Sequence, residues 1–166
     1  EGLPYEEVEL RVAEGEYGLA MELWSSTPDL LDISIVSPAG EEIPRMGASL
    51  GTRQYDFLFE DTVVYVDFQA LDPNSGEELI LIRMFAPSPG IWKLKVYGTS
   101  VIHGIYNIWL PVKGFISEGT VFPNSNPDIT LTSPANADTP IAVAGYQVQN
   151  DSIYIASSRG YTRRGR

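Results

Sequence analysis

The chain has 166 residues, 43% of them hydrophobic and 11% aromatic, a length that fits one domain, or one domain plus a fragment, with enough apolar material for a core. Twelve prolines and fifteen glycines, about a sixth of the chain, are spread along it and leave few windows for long helices, which sets an all-helical fold aside. Twenty-two acidic against eleven basic residues give a net charge of −11, so neither nucleic acid nor anionic lipid is an expected partner, and zero cysteines exclude disulfides, a thiol nucleophile and thiolate metal sites.

Period-two or β-branched runs predict strands at residues 8–12, 18–24, 32–36, 62–69, 78–84, 91–96, 105–112 and 141–148, with a shorter one at 152–155. Turn chemistry separates them. Ser37-Pro38-Ala39-Gly40, Asp72-Pro73-Asn74-Ser75-Gly76, Pro87-Ser88-Pro89-Gly90 and Asn150-Asp151-Ser152 place Pro where φ is preset and Gly or Asn where positive φ is needed. The run from Asp72 to Gly76 joins 62–69 to 78–84 and predicts a hairpin with a loop of four or five residues. Within its second arm, Leu79-Ile80-Leu81-Ile82 does not alternate, as in a strand covered on both faces or lying against a loop. The next run alternates cleanly, with Trp92, Leu94 and Val96 on one side, expected on the core face or beside the Pro- and Gly-rich corners.

Strands at eight- to twelve-residue spacing over residues 1 to about 115 predict an all-β fold, an antiparallel sandwich of jelly-roll type. After Phe115 the chain turns to Asn, Pro, Ser and Thr, and a boundary is expected between residues 116 and 117. Beyond it, Ile141-Ala142-Val143-Ala144-Gly145 combines apolar residues with small ones, as in a central strand of an α/β domain. Its sheet partners are expected outside these residues, and left unpaired such a strand favours self-association. Position 1 is not Met, and the end from Arg159 to Arg166 is polar, so the chain reads as a piece of a longer protein. No apolar run approaches the roughly 20 residues of a bilayer-spanning helix and no signal-peptide pattern opens the sequence, so no membrane partner is expected.

Charge is uneven. Eighteen acids lie in the first eighty residues, while four arginines, Arg159, Arg163, Arg164 and Arg166, fall in the last eight. Residues 1–158 carry −15 and the last eight +4. Four arginines among Gly, Tyr and Thr read as a solvated or partner-docked loop.

Catalytic chemistry finds little footing. The one histidine, His103, precedes a strand in Val101-Ile102-His103-Gly104 and reads as a turn residue, with no Gly-x-Ser-x-Gly elbow to serve. Asp56, Glu60 and Asp61 form an acidic region that reads as a calcium site or, without an Asp-x-Asp-x-Asp-Gly loop, as a solvated edge. Glu22, Glu41, Glu42, Glu60 and Asp67 are available as glycosidase pairs, but so many acids pair by chance and most are solvated. Neither a catalytic residue, nor a metal ligand, nor a cofactor is assigned. Trp24, Trp92 and Trp109 could stack on a sugar; Trp92 and Trp109 lie inside apolar strands and are expected in the core, whereas Trp24, at a strand end, is the expected exposed binding aromatic. Asn150-Asp151-Ser152 fits the N-glycosylation pattern, a weak signal alone.

The most specific pattern lies near the C-terminus: Thr130-Leu131-Thr132-Ser133-Pro134-Ala135-Asn136-Ala137, then Ile141-Ala142-Val143-Ala144-Gly145-Tyr146, then Ile155-Ala156-Ser157-Ser158-Arg159-Gly160-Tyr161-Thr162. It resembles the segment of subtilisin-like serine proteases (subtilases, peptidase family S8) between the oxyanion-hole asparagine and the catalytic serine, with Ala144-Gly145 where the family usually has Gly-Ala. Ahead of it, Glu14-Gly15-Glu16-Tyr17, Met21-Glu22-Leu23-Trp24, Ser37-Pro38-Ala39-Gly40-Glu41, Pro89-Gly90-Ile91-Trp92 and Asn107-Ile108-Trp109-Leu110-Pro111 resemble the jelly roll inserted in clostridial-type subtilases, the group of the spore germination proteases.

The resemblance implies an inserted sandwich, residues 1–116, followed by a return into an α/β catalytic domain over 117–166. It also implies that the catalytic Asp, His, Asn and Ser lie outside the chain, so this piece alone is expected to be inactive while its parent is a serine endopeptidase. The implied partners are the remainder of the catalytic domain in cis and, for the parent, peptide or protein substrates. The implied location is extracytoplasmic or spore-associated, and the implied role is to stabilise or rigidify the protease. The alternative is a carbohydrate- or protein-binding β-sandwich module.

Overall fold

The computed structural model describes residues 4–49, 51–126, 128–132, 135, 139 and 141–161. Among these there is no helix, and the chain divides into two compact units, Glu1–Asn124 and Ser125–Arg166.

Nine strands make up the described part of the first unit: β1 (Tyr5–Val12), β2 (Gly18–Ser25), β3 (Leu30–Val36), β4 (Glu42–Met46), β5 (Arg53–Asp56), β6 (Val63–Gln69), β7 (Glu78–Phe85), β8 (Gly90–Ser100) and β9 (Tyr106–Trp109). They form two antiparallel sheets, one in the order β1-β8-β3-β4 and the other β5-β6-β7-β2-β9. The first strand pairs with β8 while β2 pairs with β7 in the opposite sheet, a nested, jelly-roll-like wrap. Side chains alternate across each strand. One set therefore meets between the sheets: Leu10 and Val12 from β1, Leu19, Met21 and Leu23 from β2, Ile33 and Ile35 from β3, Val64 and Val66 from β6, and Trp92, Leu94 and Val96 from β8. Each such burial stabilises the fold by about 1.5–3 kcal/mol relative to exposure, so the fold is an all-β sandwich around one core.

The hairpin read from Asp72 to Gly76 is present, β6 pairing with β7 from Val63↔Phe85 to Gln69↔Leu79. Its loop is tied by the Asp72 carboxylate, which accepts hydrogen bonds from the Ser75 N–H (2.8 Å), the Ser75 hydroxyl (2.9 Å) and the Asn74 N–H (3.1 Å). The non-alternating Leu79 to Ile82 run falls in a central strand, with β6 on one side and β2 on the other. Two strands lay outside the sequence-based expectation. Pro44 interrupts the pattern of β4, and β5 is only four residues long. Both are edge strands, where a missing N–H and short length cost least.

The first unit continues past residue 116. Arg11 and Val121 exchange backbone hydrogen bonds of 2.9 and 3.0 Å, and the Thr120 hydroxyl accepts one from the Ala13 N–H at 3.1 Å. The segment expected to open the second piece is thus tied to β1 by backbone pairing that leaves no mark in side-chain composition.

In the second unit the described strands are β10 (Tyr146–Gln147) and β11 (Ser152–Ile153), paired antiparallel across the Asn150-Asp151 turn. The runs predicted at 141–148 and 152–155 are therefore mostly not strand. Ile141 and Val143 are 91% and 88% exposed. A strand needs a neighbour for its backbone groups and a layer to cover its apolar side, and the described residues of this unit supply neither to 141–144, while Gly145 accepts the Tyr154 N–H at 3.0 Å and donates its own to the Ser157 hydroxyl at 3.2 Å. Thr130 and Arg159 are joined by an N–H···O=C bond of 2.8 Å and by the Arg159 N–H to the Thr130 hydroxyl, also 2.8 Å. Parts of the subtilase-like motif, Ser133, Pro134, Asn136, Ala137 and Thr162, lie outside the described residues.

Candidate functional site

The two outer faces of the sandwich differ in chemistry. On the four-stranded sheet, β1, β3, β4 and β8 present charges that pair across strands: Lys93 with Glu7 at 2.9 Å, Lys95 with Glu42 at 2.8 Å and Arg45 with Asp32 at 2.7 Å. Aromatic rings on this face are capped by cations, Arg45 lying 4.8 Å from the Tyr97 ring centre and Lys95 5.2 Å from that of Tyr5. The hydrogen bond from Lys95 holds the Glu42 carboxyl below its ordinary range and the ammonium above its own. Partly exposed pairs of this kind contribute at most about 1 kcal/mol each; they suit a face turned to water.

The five-stranded sheet is different. Its registers place Val63 and Tyr65 of β6, Leu79, Leu81, Arg83 and Phe85 of β7, Glu22 and Trp24 of β2, and Asn107 and Trp109 of β9 on one outer face. The charges here are already satisfied within the face. Arg83 pairs with Asp67 at 2.6 Å, Asp67 also accepts from the Thr52 hydroxyl, and Glu22 accepts the Trp24 indole N–H at 3.0 Å. Tyr65 meets Phe85 edge-on, with ring centres 5.5 Å apart, and Arg83 lies 5.8 Å from the Tyr65 centre. Phe85 is 52% exposed, and beside it a shallow groove is lined by Tyr17, Gly18, Ala20, Pro111, Val112 and Phe115. Two polar atoms on the face, Arg83 Nε and Asn107 Oδ1, are shielded from water without a hydrogen-bond partner among the described residues, a state that costs about 1–3 kcal/mol per group.

The residues singled out from sequence are distributed as follows. Trp92 is core: it is 2% exposed, meets Phe57 edge-on at 5.0 Å and donates its indole N–H to the Ser88 carbonyl at 2.9 Å. Trp24 is half-buried on the outer face of the five-stranded sheet. Trp109, expected in the core, is half-buried on that same face, because the pairing Leu23↔Ile108 turns Ile108 inward and leaves Asn107 and Trp109 outward. Trp92 therefore shares no platform with the other two. His103 is exposed, and its backbone N–H is bound by Asp29. Asp56 accepts the Gln54 amide at 2.9 Å, Glu60 the Ala39 N–H at 3.0 Å, and Glu41 the N–H groups of Leu58 and Phe59 at 2.8 and 3.1 Å. Among the described residues no three His, Asp or Glu side chains converge as metal ligands. Asn150 Oδ1 is engaged locally by the Ser152 hydroxyl at 2.8 Å.

Three buried or half-buried carboxylates that carried no signal in the sequence hold the loops. Asp29, 1% exposed, accepts backbone N–H groups of Ile102 (2.6 Å), His103 (3.1 Å to each oxygen) and Gly104 (2.6 Å). The bond from Ile102 above all, against the cost of burial, holds its carboxyl below the ordinary range. Glu16 accepts the Ser117 N–H and the Thr120 hydroxyl, both at 2.8 Å; burial pushes it up, but these bonds together outweigh burial and lower it. Glu78, 1% exposed, accepts the Ser25 hydroxyl at 2.7 Å and the Leu31 N–H at 3.0 Å. Its carboxyl is pushed up by burial, with Asp32 and Asp29 adding to the rise. No motif marks these residues, because their partners, backbone N–H groups and two hydroxyls, lie 47 to 104 positions away.

No family model matches the chain, and no curated protein matches it. Among solved structures it is similar to the Clostridium perfringens CspB protease, with a TM-score of 0.83 and 22% identity, covering 96% of this chain and 34% of that one. The chain thus spans about a third of that protease's length. At this identity the likeness is one of fold.

Proposed function

We propose that this chain is a non-catalytic part of a subtilisin-like serine endopeptidase, in which the first unit, residues 1–124, forms an inserted β-sandwich that stabilises or rigidifies the enzyme and 125–166 return toward its catalytic domain. The observation that carries the reading is the fold likeness to the CspB protease over 96% of the chain, taken with the order of subtilase-like segments in the sequence. The sandwich suits a bracing role. Its loops are anchored by carboxylates at Asp29, Glu16 and Asp72 rather than left free, and its strands pair over long sequence distances, so little of it can open without the whole. Peptide-bond hydrolysis then belongs to groups outside residues 1–166, and an extracytoplasmic or spore-associated location follows from the same resemblance.

The test is removal of residues 5–115 from the longer protein, replaced by a short Gly-Ser linker. The expected result is faster thermal inactivation and greater sensitivity to added protease; unchanged values for both refute the bracing role. Titration of glycans against the intact protein, followed by Trp fluorescence, addresses the binding-module alternative, since Trp24 and Trp109 lie on one outer face. No fluorescence change is expected.

A further inference from the structure

Resting on that reading, we infer that the outer face of the five-stranded sheet is the sandwich's docking surface, and that its occupant is the part of the protease polypeptide outside residues 1–166, held in cis. The contrast between the faces chooses the surface. The four-stranded sheet carries cross-strand ion pairs and capped rings, whereas the five-stranded sheet presents Phe85, Tyr65, Leu81 and Val63 with Val112 and Phe115 at its margin, the last two 70% and 80% exposed. A contiguous apolar patch rimmed by polar groups marks an interaction site.

The chemistry of the face chooses the class of occupant. Among the described residues the face offers no free cation to an anionic polymer: Arg83 is paired with Asp67, and Glu22, which accepts the Trp24 indole N–H, adds negative charge. A sugar would stack on an open ring, but Tyr65 is met by the Phe85 edge and by Arg83. A polypeptide surface answers both features. Its apolar side chains fit the Phe85 ridge and the groove beside it. Tethering selects among polypeptides. The structural neighbour holds about two-thirds of its chain beyond the part matched here, and a domain on the same chain meets this face at an effective concentration a free partner rarely reaches.

Residues 1–166 hold no cysteine, so a single introduced thiol reports on this face in the full-length protein once any cysteine outside these residues is replaced by Ser. Phe85→Cys, Val112→Cys and, on the opposite face, Lys93→Cys are labelled with a maleimide, each rate referred to that of the same variant in denaturant. Phe85 and Val112 are exposed in the sandwich alone, so packing loss is small, and either variant suffices if the other folds poorly. The expected result is labelling at 85 and 112 slower than at 93 by on the order of a hundredfold, since it must await opening of the docked face. Equal, rapid labelling at all three positions overturns the inference, as does protection that appears only as protein concentration rises, which assigns the face to a second copy, or only when a glycan is added. Rapid labelling alongside faster inactivation of the 5–115 deletion removes this surface assignment and leaves the bracing role standing.

Discussion

Glu78 offers the sharpest test of the energetics. Its carboxyl lies between the sheets' ends at 1% exposure and is the acceptor for two groups, the Ser25 hydroxyl at 2.7 Å and the Leu31 N–H at 3.0 Å. Ser25 is itself fully buried. Glu78→Ala leaves both donors without an acceptor, at about 1–3 kcal/mol each, while removing a desolvated carboxyl whose ionisation opposes folding. The expected net loss is about 2–4 kcal/mol. Glu78→Gln keeps an acceptor oxygen and discards the titration. Because burial raises the folded carboxyl above its unfolded value, the folded state holds the proton longer. The wild-type chain therefore loses stability as pH climbs from the ordinary glutamate value of about 4.3 to the raised folded one, and the deficit persists above it. Gln lacks this decline. Urea unfolding followed by Trp fluorescence, repeated between pH 4 and 8, should show the Gln variant gaining on the wild type as pH rises through that window. Parallel profiles, or an Ala variant within about 0.5 kcal/mol of wild type, an ordinary surface effect, would refute the assignment of Glu78 as a buried acceptor.

Trp92→Ala should cost about 3–5 kcal/mol in the same urea assay, because it empties a core site and orphans the Ser88 carbonyl. Asp29→Ala should speed amide exchange at Ile102, His103 and Gly104 without touching β6 or β7. Since the folded Asp29 carboxyl is lowered, its contribution is complete above the unfolded aspartate value of about 3.9 and fades as pH falls through the folded one, so the wild-type and Ala melting temperatures should converge in strong acid. Gly90 has φ +136°, and an added Cβ would stand 2.9 Å from Pro38 Cβ; Gly90→Ala is expected to destabilise by about 1–3 kcal/mol. Lys93→Ala, which removes only the exposed pair with Glu7, should change stability by less than about 1 kcal/mol.

The parts of the fold legible in sequence were those whose information is local. Alternation at Trp92, Leu94 and Val96 identified a strand and set these side chains apart from Lys93 and Lys95; whether they face the core or the Pro- and Gly-rich corners was left to the structure, which buries all three. Asp72-Pro73-Asn74-Ser75-Gly76 specified a hairpin because each residue has its own turn preference. β4 and β5 were missed where proline or brevity removed the pattern but an adjacent strand restored the ladder. Trp109 was misplaced because an apolar strand with two hydrophobic sides has no intrinsic inward direction; its pairing with β2 sets the phase. At 141–148 the apolar composition is real, but a strand exists only where another backbone meets it.

Composition, period and turn chemistry thus determined that this chain is an antiparallel all-β protein, which segments are its long strands and where its principal hairpin turns. Tertiary structure alone decided which carboxylates lie buried as loop anchors, where the first unit closes on itself through Arg11 and Val121, and which of two outer faces is ion-paired and which apolar. The reason is physical: propensity and alternation act between neighbours in sequence, whereas burial, hydrogen-bond partnership and the chemistry of a face arise from residues tens of positions apart that only the pairing of strands brings together.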